Sequence, residues 1–330
     1  MQMTLSKSVR RLAGVFTLTA ALMTGAAGAL AEDYRMVSAY PDNNFHTQNL
    51  RKFIDDIKTS TDGKIDISLF SNSSVLKAPE IMPGVGDGLV GFGEIFLAAY
   101  ANEDPLFGAD AVAYLITGYD QAAKFDAATR ELLAKRLQDR GLKLLFTVPW
   151  PPAGFYSTRP LNSAADLDKL RMRSSTPITK AWTDKFDMQT VVVQVPELAQ
   201  AFATGALDSM FTASALAPAV KAWEFTEYFY DLGAVLTRNA VVMNLDAYNA
   251  LDPELQQMLL AASKKAEEAG WAASRKADDA NKTLMAENGM KIAEPSPELE
   301  GALKQAASEV IETWLAPLPE DSRAAVNAGR

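Results

Sequence analysis

The chain has 330 residues, 48% of them hydrophobic, with 32 basic and 41 acidic side chains, one histidine and no cysteine. Without a thiol there is no disulfide, no cysteine nucleophile and no cysteine-ligated metal, and a single imidazole rules out a poly-histidine metal site, so neither metal nor cofactor is expected. The net charge of −9 argues against nucleic-acid binding, which needs a basic surface to displace counterions. Residues 1–31 read as an export signal. Lys7, Arg10 and Arg11 precede an apolar stretch over 12–23, and Ala29-Leu30-Ala31 offers small residues where signal peptidase cuts. The stretch falls short of the ~20 residues of a membrane span. Its removal takes away those three basic side chains and no acidic one, so the charge passes from −9 to −12, and no cysteine follows to carry a lipid. The expected mature protein is exported to the periplasm, soluble and acidic.

The remaining chain alternates strands and helices. A strand over 34–40 ends in the polar loop 41–44, and Leu50, Phe53, Ile54 and Ile57 then recur at helical spacing over 47–60. Gly63 suits a left-handed cap. Residues 64–70 alternate as a half-buried strand, a short helix covers 79–85, and 89–96 reads as the next strand. This order predicts a parallel sheet. A helix over 120–140 and a strand over 142–148 follow, until Trp150-Pro151-Pro152 breaks the pattern and marks a crossover. Beyond it come a strand at 170–173, a helix at 176–186, a strand at 190–193, a helix at 196–204 and a strand at 207–211. A second crossover falls near Arg238-Asn239, after which 240–244 rejoins the first sheet. Two crossings predict two interleaved lobes with a cleft between them: 32–150 plus 239–278, and 151–238 plus 279–330. Asp252 and Pro253 open a helix that nothing but Gly270 interrupts before Asn288-Gly289. Such a rod is about 50 Å long and would reach across both lobes, with Gly270 as a kink or a break.

Arg173 closes a short strand just ahead of a helix, and in an α/β lobe that end of a strand faces the cleft. A guanidinium there can hold a carboxylate through two parallel hydrogen bonds; a surface pairing with Asp166 or Asp168 is the competing assignment. Trp150 at the crossover is either a cleft wall or hinge packing. Tyr40, Phe45 and His46 sit in and after the loop behind the first strand, at the mouth of the same crevice. Phe211 adjoins Thr212 and fits either the cleft or the core. Glu94 stands in the apolar run Phe92-Gly93-Glu94-Ile95-Phe96, where a carboxylate must be paired or face water.

Asp166-Leu167-Asp168-Lys169-Leu170-Arg171-Met172-Arg173 resembles the "DLKGLKIR" segment of solute receptors of tripartite ATP-independent periplasmic (TRAP) transporters, the DctP type. The run from Glu197 through Ala201 and Gly205 to Asp208 is similar to their "E-x-x-x-A-L-x-x-G-x-V-D" helix and strand. The turn Asp62-Gly63-Lys64-Ile65, Gly88 and the long helix from Asp252 extend the likeness over nearly the whole mature chain. The resemblance implies a two-lobed periplasmic binding protein, type II-like, that closes about a hinge on a small organic acid and delivers it to a membrane permease. It places Arg173 on the family's ligand-binding arginine and Thr212 where many members carry a polar side chain near the ligand. A second arginine common in the family falls here on Ala153, and an aromatic two residues before the matched glutamate falls on Val195. Both departures point away from large sugar acids.

Three readings follow. In the first, Arg173 and Thr212 take a small carboxylate. In the second, Glu94 with a wall of Trp150 and Phe45 takes an amine or zwitterion by cation–π contact. In the third, Glu94 and His46 serve an exported hydrolase or isomerase, which no nucleophile elbow, metal motif or phosphate loop supports.

Overall fold

The computed structural model describes residues 32–330, so the expected export signal lies outside it. β1 (Glu32–Val37), β2 (Ile65–Phe70) and β3 (Phe92–Phe96) run parallel, linked by α1 (Phe45–Ser60) and α2 (Ala78–Gly86). In α1 the Asn44 side chain caps the His46 N–H at 2.9 Å, and Leu50, Phe53, Ile54 and Ile57 are buried along one face. β3 begins later than expected. Gly88 adopts φ +74°, and a side chain at Gly91 would meet the Tyr34 ring at 2.6 Å, so the segment before Phe92 is a turn under β1. α3 (Gly118–Gln138) leads to β4 (Leu142–Pro149).

The chain then leaves this sheet. β5 (Ala153–Ser157), β6 (Arg171–Ser174), β7 (Gln189–Val192), β8 (Ser209–Ala213) and β9 (Tyr228–Tyr230) build a second one, with α4 (Ile178–Thr183), α5 (Leu198–Ala203) and α6 (Leu216–Val220) between them. The helix expected over 196–204 is a 3-10 turn over Val195–Glu197 followed by α5. β10 (Arg238–Asn244) returns to the first sheet, antiparallel to both β3 and β4. The sheet orders are β2-β1-β3-β10-β4 and β11-β9-β5-β8-β6-β7, where β11 is Lys291–Ala293. The two crossing segments lie side by side, the Trp150 N–H bonding the Thr237 carbonyl at 2.7 Å and the Ala153 N–H the Val235 carbonyl at 2.9 Å. A pair of adjacent extended segments between lobes is a hinge, because a few backbone dihedrals can absorb a rotation there.

A buried ion cluster stands beside this hinge. Arg238 at the start of β10 lies 3.2 Å from Asp110 and 2.6 Å from Asp126, with its guanidinium 4.7 Å over the Phe125 ring. Burial pushes the Asp110 carboxyl up to about 7 against the opposing pull of Arg238. Burial acts on Asp126 in the same sense, but Arg238, Thr147 and Arg130 outweigh it and hold that carboxyl below its ordinary range.

After α7 (Leu245–Ala250), α8 (Pro253–Glu287) runs unbroken for 35 residues. Leu259, Ala262 and Ala266 pack in the first-lobe core, Trp271 Nε1–H donates to the Thr147 carbonyl at 3.1 Å, and Met285 enters a second-lobe core. The helix thus spans both lobes, and Gly270 neither breaks nor ends it. The segment 279–330 does not pack as one piece. α9 (Pro297–Leu315) places Leu299, Leu303 and Ala307 in the second lobe, whereas Leu318 and Val326, the latter on α10 (Glu320–Gly329), enter the first-lobe core. That return follows from the apolar face of α10, which lies on α3 where Arg136 meets Asp321 at 2.7 Å.

Candidate functional site

In the second lobe β6 and β8 are parallel neighbours, with Met172 opposite Ser209 and Arg173 opposite Met210. Met172 and Phe211 face one core cluster and Met210 another. Arg173 therefore stands on the Met210 face, and Thr212, two residues beyond Met210, shares that face on the adjoining strand. Arg173 is 4% exposed; its Nε–H donates to the Val193 carbonyl at 2.9 Å, and its buried Nη1 has no hydrogen-bond partner among the described residues. Among the described residues no carboxylate pairs with it, and burial alone lowers its pKa to about 10, so it remains a cation at neutral pH. The competing surface pairing is absent: Asp166 caps the Asn162 and Ser163 N–H groups, and Asp168 lies 3.6 Å from Lys169. Arg171, on the same face but exposed, is held by Asp208 and the Gly205 carbonyl. Phe211 lies under the site, its ring 5.3 Å from Phe155 and 5.5 Å from Trp182 in the lobe core.

In the first lobe the structure brings Tyr40, Phe45, His46, Glu94 and Trp150 together. The His46 ring lies 4.1 Å from Phe45, 4.3 Å from Trp150 and 5.8 Å from Tyr40. Its Nδ1 sits 3.1 Å from Glu94 Oε1, which also accepts from Asn239 Nδ2 at 3.0 Å, while Ser38 Oγ donates to Glu94 Oε2 at 2.7 Å. Both oxygens of this 2%-exposed carboxylate are engaged. Burial raises its pKa, but the His46 charge and the bonds from His46, Asn239 and Ser38 together hold it below the ordinary carboxylate range. Asn239 Oδ1 in turn accepts from Trp150 Nε1 at 2.9 Å and Tyr40 Oη at 3.3 Å. Burial pushes the Tyr40 phenol well above its usual range, which keeps it a donor.

Ser38 and Asn239 are members of this network that the sequence did not single out. The polar pair Arg238-Asn239 at the head of an otherwise apolar strand is the one local signal, and there it marked only a crossover.

The lobes meet through Trp150, which clusters with Ala213 and Ala215 from the end of β8 and with Tyr40, Phe45 and Phe96. Beside this contact a cavity of about 90 Å³ lies between Asn43, Phe45 and Gln48 on one side and Ala215, Ala219 and Asn281 on the other. Arg173 and Thr212 do not line that cavity; a buried cation with no counter-ion among the described residues of one lobe and a polar-aromatic cluster in the other are groups suited to recognising an anion of modest size. Among the described residues no group of three or more metal-ligating side chains converges.

The family model for bacterial extracellular solute-binding proteins, family 7 (DctP), matches residues 36–316. A Bordetella pertussis extracytoplasmic solute receptor that binds pyroglutamic acid, DctP6, has a similar structure: TM-score 0.87 and 37% identity, covering 91% of this chain and 99% of that one. A marine metagenome TRAP solute-binding protein specific for pyroglutamate is 31% identical, with TM-score 0.87 over 91% and 99% of the two chains. The ectoine/5-hydroxyectoine-binding periplasmic protein of Ruegeria pomeroyi is 25% identical over 286 residues, 84% of this chain and 83% of that one.

Proposed function

The chain belongs to the bacterial extracellular solute-binding proteins of family 7, the solute receptors of TRAP transporters, and from that premise we propose that Arg173 clamps the carboxylate of a small cyclic acid of the pyroglutamate type. One observation carries the proposal: the Nη1 of Arg173 is buried, cationic and unpartnered. A carboxylate would supply the charge and the acceptors that the protein leaves out, and a guanidinium fork matches its geometry. By the family resemblance, about Ala153 is where many members carry a second arginine, so in this reading one cation, not two, faces the acid. That favours a monocarboxylate over a sugar diacid.

The amine reading loses its counter-ion, since both Glu94 oxygens are taken by Ser38, Asn239 and His46. Trp150 forms the apolar wall against which a flat ring would lie, with Thr212 beside the guanidinium. Binding draws the lobes together about the paired crossing segments, because contacts from both sides exist only in the closed form. In this proposal the receptor works in the periplasm, reached through the export signal at 1–31, and hands the acid to the membrane permease of a TRAP transporter.

A thermal-shift panel tests the ligand class. At ~100 times its dissociation constant a ligand stabilises the native state by about 2.7 kcal/mol. L-pyroglutamate and related small monocarboxylates are expected to raise the melting temperature, with pyroglutamate amide and simple amines silent. Stabilisation by the amide equal to that by the acid contradicts the clamp.

A further inference from the structure

His46 is 1% exposed, and its Nε2 is buried without a hydrogen-bond partner among the described residues. The rest of the ring is fully accounted for. Nδ1 lies on Glu94, and Phe45, Trp150 and Tyr40 enclose the faces and edge. The ring is therefore fixed in rotation, with Nδ1 carrying a proton toward the carboxylate and Nε2 left as its only uncommitted polar atom. Its neighbour Trp150 is the residue that closes on Ala213 and Ala215, just beyond Thr212 on the opposite lobe. An orphaned buried polar atom of this kind costs about 1–3 kcal/mol unless something satisfies it.

Charge decides what that something is. Arg173 contributes one positive charge, Glu94 one negative, and a bound monocarboxylate a second negative. A protonated His46 neutralises the Glu94 beside it, whereas a neutral ring leaves that buried carboxylate without a countercharge, the costlier state.

We propose that His46, protonated on both ring nitrogens and held by Glu94, donates its Nε2–H to an oxygen at the end of the ligand away from the carboxylate. His46 is then the residue that selects, among small acids, those with a carbonyl or hydroxyl oxygen opposite the acid group. Glu94, Ser38 and Asn239 are positioning residues that act through it. The inference rests on the carboxylate reading above and adds a second, separate point of recognition.

The chain's single histidine makes the test direct. With nitrogen-15 histidine labelling, the receptor is followed by NMR before and after saturation with L-pyroglutamate. Both ring nitrogens are expected to carry protons in the complex, and the Nε2 resonance to move on binding. An unprotonated Nε2, or one unmoved at saturation, overturns the contact.

Affinities for L-pyroglutamate and for cyclopentanecarboxylate, the same ring without the lactam oxygen, supply the second readout. The wild type is expected to prefer pyroglutamate by roughly 10- to 100-fold, the worth of a charge-assisted hydrogen bond. His46→Phe is expected to erase the preference while cyclopentanecarboxylate still binds. A preference that survives the substitution, or equal binding of both acids by the wild type, overturns the His46 contact alone. Failure of the wild type to bind either acid contradicts the carboxylate reading and the contact with it. The NMR result stands without the variant, should it not fold.

Discussion

Arg171 and Arg173 stand on the same face of β6, and depth separates their roles. At the exposed start of the strand, Arg171 finds Asp208 and the Gly205 carbonyl; at the buried carboxyl end, Arg173 finds the Val193 carbonyl and, among the described residues, no carboxylate. A surface pair of the first kind is worth about 0–1 kcal/mol, while an isolated buried cation is unfavourable unless a partner arrives. The same logic runs through Asn239, whose amide oxygen accepts from Trp150 and Tyr40 and whose nitrogen serves Glu94. Replacing it by leucine orphans a buried indole N–H and one bond to a buried carboxylate, each worth about 1–3 kcal/mol. Asn239→Leu is therefore expected to lower unfolding free energy by about 3 kcal/mol in urea denaturation, and a loss below about 1 kcal/mol contradicts the network. Arg173, His46, Glu94 and Trp150 stood out in the sequence because charge or an aromatic ring broke a local pattern. Asn239 and Ser38 did not, since their importance lies in pairing across 145 and 56 residues with Glu94.

Helices with a repeating apolar face were legible from the chain alone: α1, α3 and α8 occupy nearly the expected spans. The short strands β9 and β11, of three residues each, carry too few positions for alternation to register and exist through their neighbours in the second sheet. The antiparallel insertion of β10 between β3 and β4 was likewise beyond local pattern, although its return to the first sheet was not. Gly270 looked like a helix interruption and is instead a contact point. A side-chain carbon there would stand 2.5 Å from Val148 Cγ2 and 2.8 Å from Asn49 Nδ2, whose amide bonds the Ala266 carbonyl. In an open helix Gly→Ala gains about 1 kcal/mol, but overpacking a filled site costs about 1–3 kcal/mol. Gly270→Ala is thus expected to destabilise the protein by about 1–2 kcal/mol in urea denaturation, and a stabilised variant would refute the close packing of α8 on β4.

At the scale of the molecule, two sheets share two crossing segments, one helix spans both lobes, and α10 returns to the first lobe's core. The lobes are thereby tied at the hinge and along α8. The division into interleaved lobes was legible from two breaks in the strand-helix rhythm. The return of α10 was not, because its apolar face does not by itself say that the surface it covers is α3 of the first lobe. For a chain of net charge −9, the proposed capture of an anion requires positive charge placed locally, and in the proposed clamp the buried Arg173 of β6 supplies it. Isothermal titration of L-pyroglutamate into the wild type and Arg173→Lys tests this most directly. Lysine keeps the charge but loses the planar fork, and breaking a buried charge-assisted contact costs at least about 2 kcal/mol. The wild type is expected to bind and Arg173→Lys to bind at least about 30-fold more weakly; equal affinities for the two proteins would contradict the arginine clamp.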